Sequence, residues 1–114
     1  MNTYKTGLFA EWIARNYLRL CGYKILARRY VIGPGTGRAE IDIIAKKGDL
    51  VIFVEVKNRK TVTAGLEAVT WAQSDRLRAT AEHFLRMRRH IGPARFDVIV
   101  VMRPWRVNWV KGAI

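Results

Sequence analysis

Glu40-Ile41-Asp42-Ile43-Ile44-Ala45, then Lys46-Lys47-Gly48-Asp49, then Leu50-Val51-Ile52-Phe53-Val54-Glu55-Val56-Lys57: this stretch decides how the chain reads. Two apolar runs of strand length flank a short polar connector that contains a glycine. That is the pattern of an antiparallel hairpin, with strands over residues 38–45 and 50–57. Side chains alternate across a strand, so Glu40, Asp42 and Ile44 share one face, and Val51, Phe53, Glu55 and Lys57 share another. Two registers are open. Pairing centred on Lys47-Gly48 sets Asp42 opposite Phe53, whereas pairing centred on Gly48-Asp49 sets it opposite Glu55. In both, Asp42, Glu55 and Lys57 fall on one face, and only a one-residue slip would separate them.

Outward from the hairpin the chain alternates helices and strands. Residues 3–21 read as a helix with Phe9, Ile13, Tyr17 and Leu20 on one apolar face, stopped by Gly22. Residues 23–32 read as a strand. Gly33-Pro34-Gly35-Thr36-Gly37 has too many breakers to be anything but a loop, and it lacks the Gly-Lys-Ser/Thr ending of a phosphate loop. Residues 58–65 are polar and basic and read as a mobile loop. A second long helix is expected over residues 66–89, with Leu66, Val69, Leu77, Thr80 and Phe84 on one stripe and Gly92-Pro93 ending it. Strands over 95–102 and 107–111 complete the order α-β-β-β-α-β-β, a mixed β-sheet flanked by helices in the α/β class.

The chain has 114 residues and a formal net charge of +12, from 21 Lys and Arg against 9 Asp and Glu. That length is one domain, residues 1–114, able to bury roughly two-thirds of its unfolded surface. Half of the residues are hydrophobic and 26% are charged, which argues against intrinsic disorder. The lone Cys21 excludes an internal disulfide and a cysteine-rich zinc module, and fits a reducing compartment. The apolar run after Gly7 is broken by Glu11 and Arg15, short of the ~20 residues a membrane span needs. The expectation is a cytoplasmic protein without a membrane segment. So large an excess of positive charge points to a polyanionic partner, nucleic acid above all, bound through salt-sensitive phosphate contacts.

Against that basic background the acids of the hairpin stand out. Directly opposed residues of paired strands approach within about 5 Å and diagonal ones within about 8 Å. Two carboxylates so placed repel, and in an apolar sheet each is costly without a partner. A divalent cation removes both problems; hard oxygen ligands select Mg²⁺ or Mn²⁺, with water and a substrate phosphate completing the shell. Lys57, about 6.6 Å beyond Glu55 on the same face, can orient a water or offset charge developing on a phosphate. The competing reading of the same residues is a cross-strand salt cluster on a solvent-facing sheet. Physics alone leaves both open.

Ala39-Glu40-Ile41-Asp42-Ile43-Ile44 followed by Phe53-Val54-Glu55-Val56-Lys57-Asn58-Arg59 resembles the YraN-type family of small bacterial proteins. That family is similar to archaeal Holliday-junction resolvases and to the restriction-endonuclease-like PD-(D/E)xK superfamily. The likeness covers nearly the whole chain: Gly7 with Glu11, Ala14, Tyr17-Leu18 and Gly22-Tyr23 resemble the family's first helix and its exit. Gly65 with Ala68-Val69, and Arg95-Phe96-Asp97-Val98, match later segments.

The resemblance implies a restriction-endonuclease-like fold, Asp42 and Glu55 as metal-binding acids, the Val56 carbonyl as a further ligand and Lys57 as the catalytic lysine. It also implies an active-site role for Glu11, although helical phasing sets Glu11 away from the Phe9–Ile13–Tyr17 stripe. Gln73 stands where the family commonly has Lys; phasing turns it inward, as an active-site residue or as a core amide bonded to backbone. A second departure is Arg38-Ala39, where a Gly pair is usual. Glu40 reads equally as support for the metal ligands or as a salt-bridge partner.

The function expected on this resemblance is a Mg²⁺- or Mn²⁺-dependent endonuclease hydrolysing DNA phosphodiesters, including branched or structured DNA. Arg38, Arg59, Lys60 and Arg76 would grip the backbone, so sequence specificity should be low. A non-catalytic nucleic-acid-binding module on the same fold is the alternative, and a scaffold whose Trp-rich end recruits a protein is a third. A cut on both strands would favour a two-fold homodimer. His83 and His90 lack partners at ligand spacing for zinc. Trp105 and Trp109 read as packing or an interaction surface, Trp71 as a partner contact, and Cys21 as a small buried hydrophobe.

Overall fold

The computed structural model describes residues 3–32 and 40–114; Arg38, Ala39 and the Gly33–Gly37 segment lie outside the described residues. The elements are α1 (Thr3–Leu20), β1 (Lys24–Tyr30), β2 (Ile41–Lys47), β3 (Leu50–Asn58), α2 (Val62–Glu67), α3 (Trp71–Met87), β4 (Ala94–Met102) and β5 (Arg106–Val110). The five strands form one sheet in the order β1-β2-β3-β4-β5. Pairing is antiparallel except between β3 and β4. A parallel pair needs a crossover, and the α2–α3 segment supplies it. The mixed α/β layout and element order agree with the sequence reading.

The second helical stretch departs from it in detail. Residues 58–65 are not all loop: Thr61 caps a short helix, its Oγ1 accepting from the Ala64 N–H, and Thr70 caps the next by accepting from the Gln73 N–H. Thr61 thus starts a helix inside the expected loop, and Thr70 divides the expected single helix. Within α2, Gly65 lies so close to β4 that a Cβ there would stand 2.5 Å from Val100 Cγ2. The close approach, not chain flexibility, explains that glycine.

α3 also ends earlier than Gly92-Pro93. The Arg89 N–H donates to the Arg86 carbonyl and the His90 N–H to that of Leu85, with Arg89 at φ +53°. Such a pair of closing hydrogen bonds normally turns on a glycine. At the end of α1 it does: Gly22, at φ +91°, donates to Arg19, and Tyr23 donates to Leu18. Lys47 Nζ, from the hairpin, then donates to the freed Cys21 carbonyl at 2.8 Å.

α1 packs on one face of the sheet through Ala10, Ala14 and Leu18, against Ile43, Ala45, Ile52, Val54, Ile99 and Val101. The large residues expected to form that face do not all do so. Leu20 is 88% exposed and Tyr17 is a surface residue, because two alanines let the helix lie closer to the sheet than aromatic side chains would. On the other face Leu77, Ala81 and Phe84 of α3 meet Ile41, Ile44, Val51 and Phe53. No helix among the described residues is long and apolar enough to cross a membrane.

Candidate functional site

β2 and β3 pair from Lys47↔Leu50 to Ile43↔Val54, the register centred on Gly48-Asp49. One step further would set Asp42 across from Glu55. There a side chain takes over from the ladder: the Val56 N–H donates to Asp42 Oδ2 at 2.8 Å. An extended residue turns its N–H and C=O to the same side, so the Val56 carbonyl also leaves β3 toward β2. Lys57 Nζ lies 3.8 Å from Glu55 Oε2. Glu55 is 4% exposed, and its Oε1 is buried with no hydrogen-bond partner, the one such side-chain atom among the described residues. The paired acids and the lysine therefore do meet at the open end of the hairpin.

The electrostatics follow from burial. Loss of water raises the Asp42 carboxyl from its usual range to about 6, opposed by the Val56 N–H and assisted by the charge of Glu11. Glu55 is pushed further, to about 8, first by burial and then by the Asp42 charge, with Lys57 and the Asp42 backbone opposing. Near neutrality the pair does not readily carry two charges unless a cation shares them.

Glu11 reaches this pair through its field only. Arg29 holds it in a two-pronged pair, Nε to Oε1 and Nη2 to Oε2, both at 3.1 Å. One residue after Ala10 and three before Ala14, Glu11 sits at the margin of the buried face of α1. Its side chain is accordingly only 13% exposed, contrary to the phasing by Phe9 and Tyr17. Glu40 is exposed, and its charge acts on Asp42 and Arg29. Gln73 is half-buried in the first turn of α3, and no hydrogen bond joins its side chain to Asp42, Glu55 or Lys57. Arg59 and Lys60 are exposed just past β3 and line a groove with Asn58 and Arg103; Arg76 is exposed on α3.

A hard divalent cation fits this donor set. Two carboxylates and a backbone carbonyl are oxygen ligands of the kind Mg²⁺ and Mn²⁺ take, and the unpaired Glu55 Oε1 lacks the partner a cation would provide. No group of three or more acidic, His or Cys side chains gathers at metal-holding distance among the described residues. Water and a phosphate oxygen would have to supply the rest of the shell.

Sequence reasoning missed a second buried acid. Asp97 of β4 is fully buried and accepts four hydrogen bonds: Arg95 Nε at 2.7 Å and Nη2 at 2.9 Å, Trp109 Nε1 at 2.8 Å, and the Gly112 N–H at 2.9 Å. The signal for it is an acid inside an otherwise apolar strand, which demands partners. Trp109 packs edge-on to Tyr17 and Tyr23, half-buried against the core, with its indole N–H as a polar handle. Trp71 is 87% exposed, and Cys21 is only half-buried. His83 bonds the Tyr30 hydroxyl at 3.2 Å.

Fold and hairpin together define a small basic α/β domain with a carboxylate pair, Glu55 buried and Asp42 half-buried, and a lysine at the end of its central strands. The model of the uncharacterised protein family UPF0102 matches residues 10–101, and the chain belongs to that family, as its YraN-type motifs indicate. A UPF0102 protein of Paramagnetospirillum magneticum is 42% identical over 105 residues, covering 90% of this chain and 81% of the relative. One from Lachnoclostridium phytofermentans is 41% identical over 117 residues, covering 99% and 95%.

Proposed function

We propose that this protein is a divalent-metal-dependent endonuclease-like hydrolase acting on DNA, including branched or structured DNA. The observation that carries the reading is the buried Glu55 carboxylate, with one oxygen 3.8 Å from Lys57, the other without a hydrogen-bond partner, and the Asp42 charge acting on the group. Asp42, Glu55 and the Val56 carbonyl would hold Mg²⁺ or Mn²⁺. The cation, when bound, supplies a lowered pKa for water and neutralises phosphate charge.

The chain's own groups do the rest. The Val56 N–H fixes the Asp42 carboxylate in place, so it needs no reorganisation when substrate arrives. The Lys57 ammonium, held beside Glu55, can orient the attacking water and stabilise charge building on the phosphate oxygens. Arg59, Lys60 and Arg76, with Arg38, would contact the backbone, giving affinity without sequence information.

The alternative is a binding module that has the fold without productive cleavage. It is favoured by one observation: the third acid, Glu11, is held by Arg29.

The test is cleavage of labelled duplex, single-stranded and four-way-junction DNA in Mg²⁺, Mn²⁺ or EDTA. An Asp42→Ala/Lys57→Ala variant is purified in parallel. The nuclease reading expects metal-dependent cutting that the variant lacks while it still binds DNA. Tight, salt-sensitive binding by both with no cutting by either would replace it with the binding module.

A further inference from the structure

A groove of about 540 Å³ runs between α1 and β1, walled by Phe9, Glu11, Trp12, Arg15, Arg28 and Arg29. Its charges do not balance. Glu11 is committed to Arg29, and no carboxylate lies within ion-pair distance of Arg15 or Arg28 among the described residues. Arg15 feels the crowding: burial and then the charge of Arg28, with Arg19 and Arg29 behind it, hold its pKa below the usual arginine value. Three cations around one acid make a standing repulsion that an anion in the groove would relieve.

Beside the cations stands an aromatic platform. Trp12 is 52% exposed, lies nearly parallel to Phe9 at 5.7 Å, and Phe9 is braced edge-on by Trp105 at 4.6 Å. Cations next to an exposed, braced aromatic ring are the two elements by which proteins grip unpaired nucleotides, phosphates on the one and a base on the other. A duplex hides its base faces, so only an unpaired segment can use the ring. Glu11 links the groove to the hairpin, since its charge is felt at both Asp42 and Glu55.

We propose that this groove seats an unpaired DNA segment, its phosphates on Arg15 and Arg28 and a base against Trp12. The proposal rests on the reading that the partner is DNA, and names the part of it that the groove selects: single-stranded DNA contiguous with the strand at the carboxylate pair.

The experiment is fluorescence anisotropy with a labelled oligo-dT and a blunt duplex carrying the same number of phosphates, at several salt concentrations. Trp12→Leu should weaken oligo-dT binding about tenfold, the usual value of one base–aromatic stack, and change duplex binding less than twofold. Trp12→Phe should recover most of the loss. Arg15→Gln/Arg28→Gln should flatten the salt dependence of oligo-dT binding by about 0.7 for each phosphate no longer held. Arg106→Gln, an exposed arginine on β5, serves as the charge control.

Equal effects of Trp12→Leu on both DNA forms, or no effect on either, would overturn the proposal. So would a loss from Arg106→Gln as large as that from the groove arginines. Binding of neither form by the wild type overturns the groove and the DNA reading together. Cleavage, measured separately with Asp42→Asn, decides the nuclease reading alone; the groove stands or falls on binding.

Discussion

Replacing Glu55 by Gln should make the protein more stable at alkaline pH and slightly less stable in acid. In the native state this carboxyl titrates at about 8, against an ordinary 4.5. A raised acid pKa means that the folded chain holds a proton which the unfolded chain releases. Stability is therefore full below about pH 4.5 and is lost as pH rises toward 8. At about 1.4 kcal/mol per tenfold in proton affinity, that interval is worth at most about 5 kcal/mol. Neutralising Glu55 also ends its repulsion with Asp42, so the whole interval counts, and after about 1 kcal/mol for a buried amide short of partners the net gain is about 3–4 kcal/mol at most. For a domain of this size it corresponds to a Tm gain of roughly 10 °C at pH 8.5. At pH 4.5 the buried amide that the substitution introduces, short of partners, should cost about 1 kcal/mol instead. Thermal and urea melts followed by circular dichroism between pH 4 and 9 measure the difference. Mg²⁺ or Mn²⁺ at pH 8 should raise the wild-type Tm, by about 2.7 kcal/mol equivalent at a hundred times Kd, and not that of Glu55→Gln. Parallel stability–pH curves for the two proteins would refute the reasoning, since they would mean that the Glu55 charge costs nothing where it lies.

Other substitutions probe the frame around that site. Asp97→Ala should destabilise by about 2–3 kcal/mol, read as a fall in the urea midpoint with unchanged m, because it strands the partly exposed Arg95 guanidinium, the Trp109 indole N–H and the Gly112 N–H. Gly65→Ala should cost about 1–3 kcal/mol through its clash with Val100, and Val100→Ala in the same chain should return part of that loss. Arg89→Gly should stabilise by about 1 kcal/mol in the same melts by relieving a side chain held at φ +53°.

The hairpin is legible in the sequence because two independent signals agree there. Period-two alternation sets the faces and the Gly48-Asp49 turn sets the register as far as Ile43↔Val54; beyond it the Val56 N–H bond to Asp42, which no spacing foretells, holds the acid in place. The α1 face misleads because hydrophobicity weighs side chains by size. Packing favours Ala10 and Ala14 over Tyr17 and Leu20, since what counts is how near the helix axis can come to the sheet. The start of α2 and the break before α3 each lie in one cap hydroxyl, Thr61 and Thr70, and a glycine inside α2 disguises that helix as loop. The Glu11–Arg29 pair joins residues 18 positions apart through a left-handed Arg29, and nothing local foreshadows it.

Two buried acids of one sheet make the functional argument sharper than either does alone. Asp97 and Glu55 lie on adjacent, paired strands, and each is almost wholly withdrawn from water. Asp97 meets four donors and has nothing further to bind. Glu55 meets a lysine at 3.8 Å on one oxygen, has no hydrogen-bond partner on the other, and feels the charge of a second carboxylate, Asp42. The same fold thus satisfies one buried charge completely and leaves the other incomplete, so the deficit at Glu55 is not a general failure of this sheet to solvate acids. An acid used only for structure has the surroundings of Asp97. Glu55 lacks those partners, and if a cation supplies them, the pH- and metal-dependence of stability should separate the two residues as the hydrogen bonds do.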